Sequence, residues 1–140
     1  MKIFPKAQRA RLSYLVPEGL PQLDVDFHQF SRVFHHLLEN AFSYAPGTSP
    51  IQVCAEDLAG ELRIRVEDTG PGVPPVEHLH IFEKFYRGTA ANTVPTGTGL
   101  GLAITDEIVR AHGGRIWVED IQPHGARFII ALPHETKEHG

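Results

Sequence analysis

Four short segments carry residues whose types and spacing could do chemistry. His36, Asn40 and Ser43 fall at i, i+4 and i+7, so they share one face if the segment is helical. Asn40 sits among Leu37, Leu38, Ala41 and Phe42, where a carboxamide must find partners or cost stability. Two readings fit it. It can be a core asparagine satisfied by a neighbouring loop. It can also be an oxygen ligand for Mg2+ that touches phosphate, because Mg2+ takes few protein ligands and completes its octahedron with water and phosphate oxygens.

The second segment is Glu67-Asp68-Thr69-Gly70-Pro71-Gly72. An apolar alternating run delivers Asp68 just as the chain turns through two glycines, which allow positive φ and close approach of a ligand to the backbone. A carboxylate fixed there can accept a hydrogen bond from an exocyclic amine. Adenine offers an amine where guanine presents a carbonyl, so such a group could choose between them; an ordinary Asp-initiated turn is the other reading. In the third segment, Gly97-Thr98-Gly99-Leu100-Gly101-Leu102 opens a helical pattern. Glycines before a helix expose N–H groups at the positive end of its dipole, which is an anion-binding construction; a flexible hinge is the alternative. No Lys-Ser/Thr follows, and the spacing is that of neither a Walker A loop nor a dinucleotide fingerprint. In the fourth, Phe82-Glu83-Lys84-Phe85-Tyr86-Arg87, the aromatics would pack on the body. Lys84 and Arg87 would then point at a phosphate and neutralise charge developing during its transfer. Alone, this segment reads sooner as an amphipathic surface turn. The nine histidines include His35-His36 and His78-x-His80, neither with the partners or spacing of a zinc site.

The elements that must position these groups follow from periodicity. Residues 12–16 and 23–25 read as short extended pieces broken by Pro17 and Pro21. Asp26 is a helix cap with Gln29 as its capping-box partner, and the helix runs to Tyr44, before Pro46-Gly47. Phe27, Phe30, Phe34, Leu37, Ala41 and Tyr44 form its core face. Ile51, Val53 and Ala55, then Leu62, Ile64 and Val66, alternate as a hairpin with one buried face. A helical piece over 76–85, a small-residue loop over 88–98 and a second helix over 102–112 follow, the last ended by Gly113-Gly114. Strands at 115–119 and 126–132, joined through Pro123-His124-Gly125, close the chain. This order predicts an α+β fold, a two-layer α/β sandwich with a mixed sheet of about five strands and about three helices on one face. Residues 12–133 form the domain, 1–11 a leader and 134–140 a disordered tail.

The bulk numbers agree with one soluble domain. The chain has 140 residues, 41% hydrophobic and 21% charged. A formal net charge of -4 with interspersed signs argues against a nucleic-acid surface. No apolar run reaches the ~18 residues of a membrane span, and the first residues lack a signal-peptide pattern. The single cysteine, Cys54, excludes an internal disulfide and fits a reducing, cytoplasmic compartment.

Taken in order, Leu-Leu-Glu-Asn-Ala at 37–41, Asp-Thr-Gly-Pro-Gly at 68–72, Phe-Glu-Lys-Phe-Tyr-Arg at 82–87 and Gly-Thr-Gly-Leu-Gly-Leu-Ala-Ile at 97–104 resemble the N box, first glycine box, F box and second glycine box of sensor histidine kinases. Ala111-His112-Gly113-Gly114 and Gly125-Ala126-Arg127-Phe128 are similar to that family too, and the short lid looks most like the potassium-sensing Kdp-type branch. The resemblance implies the Bergerat ATP-binding fold, shared with gyrase, the ninety-kilodalton heat-shock chaperone and mismatch-repair ATPases, with ATP and Mg2+ as ligands. By the same resemblance Asn40 would ligate Mg2+ and Asp68 would bond the adenine amine beside Gly70 and Gly72. Lys84 and Arg87 would approach the terminal phosphate. Gly97, Thr98, Gly99, Leu100 and Gly101 would hold lid and phosphates. Tyr44, Val73, Leu102 and Phe128 would line the base pocket.

Two positions depart from the family pattern. His36 stands where many members carry asparagine, and could serve there as a hydrogen-bonding group in the nucleotide site; Ser43 stands where many carry Lys, Arg or His. The related hydrolytic ATPases place a catalytic glutamate at the position of His36, so a self-contained ATPase is disfavoured. The implied partner is the phosphoacceptor-histidine dimerisation domain of a membrane-anchored parent kinase, and through it a response regulator. About 25 residues precede the first long helix, too few for two long acceptor helices at ~1.5 Å per residue. This chain is therefore expected to be monomeric and to bind nucleotide without phosphorylating itself. A non-catalytic ATP-sensing module of the same fold is the alternative.

Overall fold

The computed structural model describes residues 6–20, 25–44, 49–58, 60–84 and 101–134, without the side chains of Gln8 and Tyr44. The elements, in chain order, are α1 (Lys6–Arg9), β1 (Leu12–Leu15), α2 (Phe27–Tyr44), β2 (Ile51–Asp57), β3 (Glu61–Asp68), a 3-10 turn (Pro75–Glu77), α3 (Gly101–Ala111), β4 (Arg115–Asp120) and β5 (Ala126–Pro133). The strands form one mixed sheet in the order β1-β2-β3-β5-β4.

The alternating runs place their apolar residues as the pattern requires. Val53 faces Val66 and Ala55 faces Ile64 across the antiparallel β2–β3 pair. Residues directly opposite share a face, so the inward set continues through Phe128, Ile130 and Leu132 of β5 and Ile116 and Val118 of β4. α2 and α3 cover this face. Phe30, Val33, Leu37 and Ala41 of α2 and Ile108 and Val109 of α3 join those strand residues in one core cluster. Phe27 continues the helical spacing but stands 81% exposed in the first turn, while Val33, outside the expected stripe, is fully buried.

The other face of the sheet is polar and balanced. Arg127 pairs with Glu67 at 2.7 Å and Glu119 at 3.3 Å, and Glu61 pairs with Arg63 and Arg115, both at 2.9 Å. Arg63 and Arg115 lie over the Trp117 ring at 5.4 and 5.0 Å. Long side chains here bury their stems on the sheet. Hence Cys54, Ile129 and Ala131, on this outward face, are themselves buried, and β5 reads as a near-continuous apolar run.

Several details differ from the sequence reading or add to it. Two long helices, rather than about three, cover the sheet among the described residues. The expected helical piece at 76–85 is a 3-10 turn at Pro75–Glu77 followed by single turns, with His80 and Ile81 N–H both reaching Glu77 O. β1 pairs parallel with β2, Leu12 opposite Ile51; a parallel pair needs a crossover, and α2 is that crossover. Val25 lies outside any strand, and Leu23 falls outside the described residues. The cap of α2 is half as expected. Asp26 Oδ1 accepts the Gln29 N–H at 3.0 Å, but the Asp26 N–H goes to His112 Nε2 at 3.1 Å rather than to the Gln29 side chain. The other ring nitrogen, Nδ1, donates to Ile108 O at 2.8 Å, which makes Nε2 the acceptor. His134 is also held: its N–H meets Gly60 O at 3.0 Å and its ring meets Asp57 at 2.7 Å.

α3 ends at Ala111, the chain turns through Gly113, with φ +79, and it enters β4 through Gly114. A Cβ at Gly114 would collide with the Ala131 carbonyl and the Leu132 side chain. Gly114→Ala should therefore cost about 1–3 kcal/mol, the usual range for overpacking. Urea unfolding should show a lower midpoint at unchanged slope.

Candidate functional site

Asp68 is the last residue of β3, and its side chain is 4% exposed. The backbone there turns at once, and the Gly70 N–H donates to Asp68 Oδ1 at 2.8 Å. Burial pushes the Asp68 pKa above its ordinary 3.8, opposed by the Gly70 and Ala126 N–H groups and by the field of Arg11. No cation within the described residues forms an ion pair with it. A carboxylate held this way has hydrogen-bonding capacity to offer to a ligand.

The loop after Asp68 rests on the turn between β4 and β5. Gly72 has φ +82, and a Cβ there would come 3.0 Å from Gly125 O and 3.1 Å from Asp120 Oδ1. Gly125, with φ +133, packs against the Asp68 carbonyl so closely that a Cβ would overlap it. His124 Nδ1 meets Thr69 O at 2.9 Å. Val73, which continues this loop, packs against the core cluster together with Leu102, and Phe128 lies within that cluster. Of the four residues expected at the base pocket, Val73, Leu102 and Phe128 thus belong to or pack on the core, and the Tyr44 side chain lies outside the described residues. Phe82 meets Phe128 edge-on at 6.3 Å, so the first aromatic of the fourth segment does pack on the body. Lys84, two residues on, is exposed.

Asn40 lies in α2, half-buried, with no partner for its carboxamide among the described residues. A free carboxamide oxygen suits a hard cation. Ser43 instead donates to Glu39 O at 2.9 Å, within its own helix. His36 joins α2 to α3: a Cβ on Gly101 would come 3.1 Å from His36 Nδ1. The missing side chain at Gly101 is therefore the space that the imidazole occupies. Burial lowers the His36 pKa below 6.5, helped by His35 and Arg32 and opposed by Glu39, so at neutral pH the ring is an uncharged hydrogen-bonding group. Arg87, Gly97, Thr98, Gly99, Leu100 and the Tyr44 side chain lie outside the described residues. Among the described residues no group of three or more His, Cys, Asp or Glu could hold a metal.

The model of the histidine kinase-, DNA gyrase B- and HSP90-like ATPases matches residues 25–136. The chain belongs to that family. The relatives it matches include sensor kinases. It is 43% identical to the sensor protein KdpD of Escherichia coli over 121 residues, which is 86% of this chain and 13% of KdpD. It is 39% identical to the sensor protein kinase WalK of Staphylococcus saprophyticus over 128 residues, 89% of this chain and 21% of WalK. These identities are too close to separate a Kdp-type from a Wal-type branch. The chain thus spans only 13% to 21% of the length of these relatives. Among solved structures, the mycobacterial sensor histidine kinase MprB superposes with a TM-score of 0.78 at 30% identity, covering 91% of this chain and 88% of that one. Full-length ShkA in complex with AMPPNP gives 0.77 at 27% identity, covering 93% and 27%.

Sequence reasoning missed His78, Asp120 and His124, which grip the glycine loop from outside. Asp120 could have been found from its parity, since it follows Ile116 and Val118 on the inward face of β4.

The two shifted groups at this site, His36 and Asp68, act oppositely on stability. His36 favours its neutral form when folded, so its contribution is present above pH 6.5 and is lost as pH falls below that value toward its lowered folded pKa. Asp68 favours its protonated form, so its contribution is present below 3.8 and is lost as pH rises through the raised folded value. Asp68→Asn, which removes the buried charge and keeps an oxygen for Gly70 N–H, should not lower the thermal midpoint at pH 7. A lowered midpoint in a melting curve would show that the charge itself stabilises the fold.

Proposed function

We propose that this chain binds Mg2+–ATP and presents the γ-phosphate for in-line attack by a histidine on a separate dimerisation domain, as the ATP-binding catalytic domain of a two-component sensor histidine kinase. The observation that carries this is Asp68, a carboxylate buried at a strand end with no ion pair among the described residues. The cost of burying it is understandable if it receives the adenine amine, with Gly70 and Gly72 shaping that wall and Val73, Leu102, Phe128 and Tyr44 providing apolar contact. The family match and the AMPPNP complex of ShkA support an ATP analogue as the right class of ligand.

In this reading Asn40 supplies an oxygen to Mg2+, which neutralises phosphate charge, and His36 offers a neutral hydrogen bond from the same helix. Lys84 and Arg87 approach the terminal phosphate, while Gly97, Thr98, Gly99, Leu100 and Gly101 close over the triphosphate. Phosphoryl transfer needs mainly positioning and charge neutralisation, which these residues can give. The acceptor histidine and the response regulator downstream belong to other domains, and the work is done on the cytoplasmic side of a membrane-anchored parent. We further read residues 12–133 as the folded unit.

A second reading, an ATP-sensing module without transfer, is favoured by Ser43, whose hydroxyl is turned back onto Glu39 O. The two differ in metal dependence: catalysis needs Mg2+ at Asn40, so ATP bound equally well with a chelator present would support the sensing module.

Titration calorimetry tests the central claim. Wild type should bind ATP and not GTP, and Asp68→Asn should lose at least tenfold in ATP affinity, the effect of one charge-assisted hydrogen bond worth about 1.5–3 kcal/mol. GTP binding equal to ATP in the wild type would sink the assignment of Asp68. Mixed with its histidine-bearing dimerisation domain and labelled ATP, the chain should transfer label in trans; no transfer would count against the kinase reading.

A further inference from the structure

The loop carrying Gly70 and Gly72 is held at Val73 by two side chains from elsewhere. Asp120 Oδ1 accepts the Val73 N–H at 3.0 Å. His78 Nε2 lies 2.8 Å from Val73 O and 3.4 Å from Asp120 Oδ2. Facing a carbonyl and a carboxylate, Nε2 must carry the proton, because neither neighbour can donate. The three residues close a ring: Val73 N–H to Asp120, Asp120 to His78, and His78 to Val73 C=O.

The ring is built from unrelated parts of the fold. Asp120 ends β4 opposite Ala126, and Ala126 lies opposite Asp68 on its other side. Asp68 and Asp120 therefore flank one alanine on the inward face at the same end of the sheet. Asp68 accepts the N–H of Gly70 in the loop, and Asp120 accepts the N–H of Val73 further along it. His78 follows the 3-10 turn Pro75–Glu77, so the shortness of that turn places its ring back over Val73. Both backbone polar groups of Val73 are satisfied by side chains, where unpaired groups would cost stability.

We propose that His78 and Asp120 are positioning residues for nucleotide binding: they fix the loop from Gly70 to Val73 against the β4–β5 turn, so that the adenine wall is already formed before ligand arrives. This rests on the reading of Asp68 and its loop as the adenine wall. Neither residue touches ligand in this scheme. Each acts through Val73, and losing either lets the loop lift and weakens base binding.

The test measures ATP and ADP affinity by titration calorimetry, and amide hydrogen exchange by NMR, in wild type, Asp120→Ala, Asp120→Asn, His78→Ala and His78→Gln. Asp120→Ala and His78→Ala should each weaken ATP and ADP alike by about tenfold, the loss of one net hydrogen bond. The Val73 amide should exchange faster in Asp120→Ala, while Val66 and Ile130 exchange as in wild type. Asp120→Asn keeps an oxygen for Val73 N–H, and His78→Gln keeps an N–H for Val73 O, so both should restore most of the affinity. Unchanged affinity in both alanine variants overturns the inference while leaving the ATP reading intact. Faster exchange at Val66 and Ile130 to the same degree also overturns it, since the residues would then support only global stability. If Asp120→Ala fails to fold, His78→Ala against His78→Gln decides alone. Wild type that binds no adenine nucleotide would instead sink the ATP reading, and this inference with it.

Discussion

The site depends on one constraint: a carboxylate buried at the end of a strand, held by backbone N–H groups and, among the described residues, by no ion pair. Asp68 ends β3 because the next residues must turn, and the turn is what brings the Gly70 N–H onto it. Everything else at this end of the sheet accommodates that group. Ala126 beside it is small and buried, Gly125 has no side chain to collide with its carbonyl, and Gly72 has none to collide with Gly125. Desolvation works against the charge throughout.

Two helices over one face of five strands make that arrangement possible. The core cluster runs under α2 and α3 and reaches Val73 and Leu102. α2 delivers Asn40 and His36 from a face set by Val33, Leu37 and Ala41. The start of α3 abuts His36 with a glycine. The two phosphate-side segments proposed from sequence therefore meet through an imidazole ring and a backbone. His112 joins the same two helices at their other ends.

Much of this was legible because period-2 and period-3.6 patterns fix which residues face inward, and one buried face leaves little freedom of register. β2, β3, β4 and both long helices were readable on that ground, β5 as a near-continuous apolar run, and the placement of Asp68 at a strand end followed from β3. β1 was readable as extended but not as a parallel partner of β2, because three of its four residues are exposed and carry no inward pattern. The stretch after Val73 looked helical from its apolar spacing, yet Val76 and Leu79 are 81% and 88% exposed. With no core to reward a helix there, single turns suffice. The ring of Val73, His78 and Asp120 was not legible, since Asp120 lies 47 residues from Val73 in sequence and only the sheet brings them together. Its one trace was an acidic residue on an inward parity.

Gly72 and Gly125 meet backbone to backbone, with no side chain between them. A surface made this way has no rotamers. Most binding sites lose side-chain freedom when a ligand settles, at about 0.5–1.5 kcal/mol for each long side chain immobilised. Here the ordering entropy of this stretch is lost once, when the chain folds. Whatever settles against this stretch meets peptide groups already ordered by folding, so this part of the wall adds no side-chain entropy loss of its own.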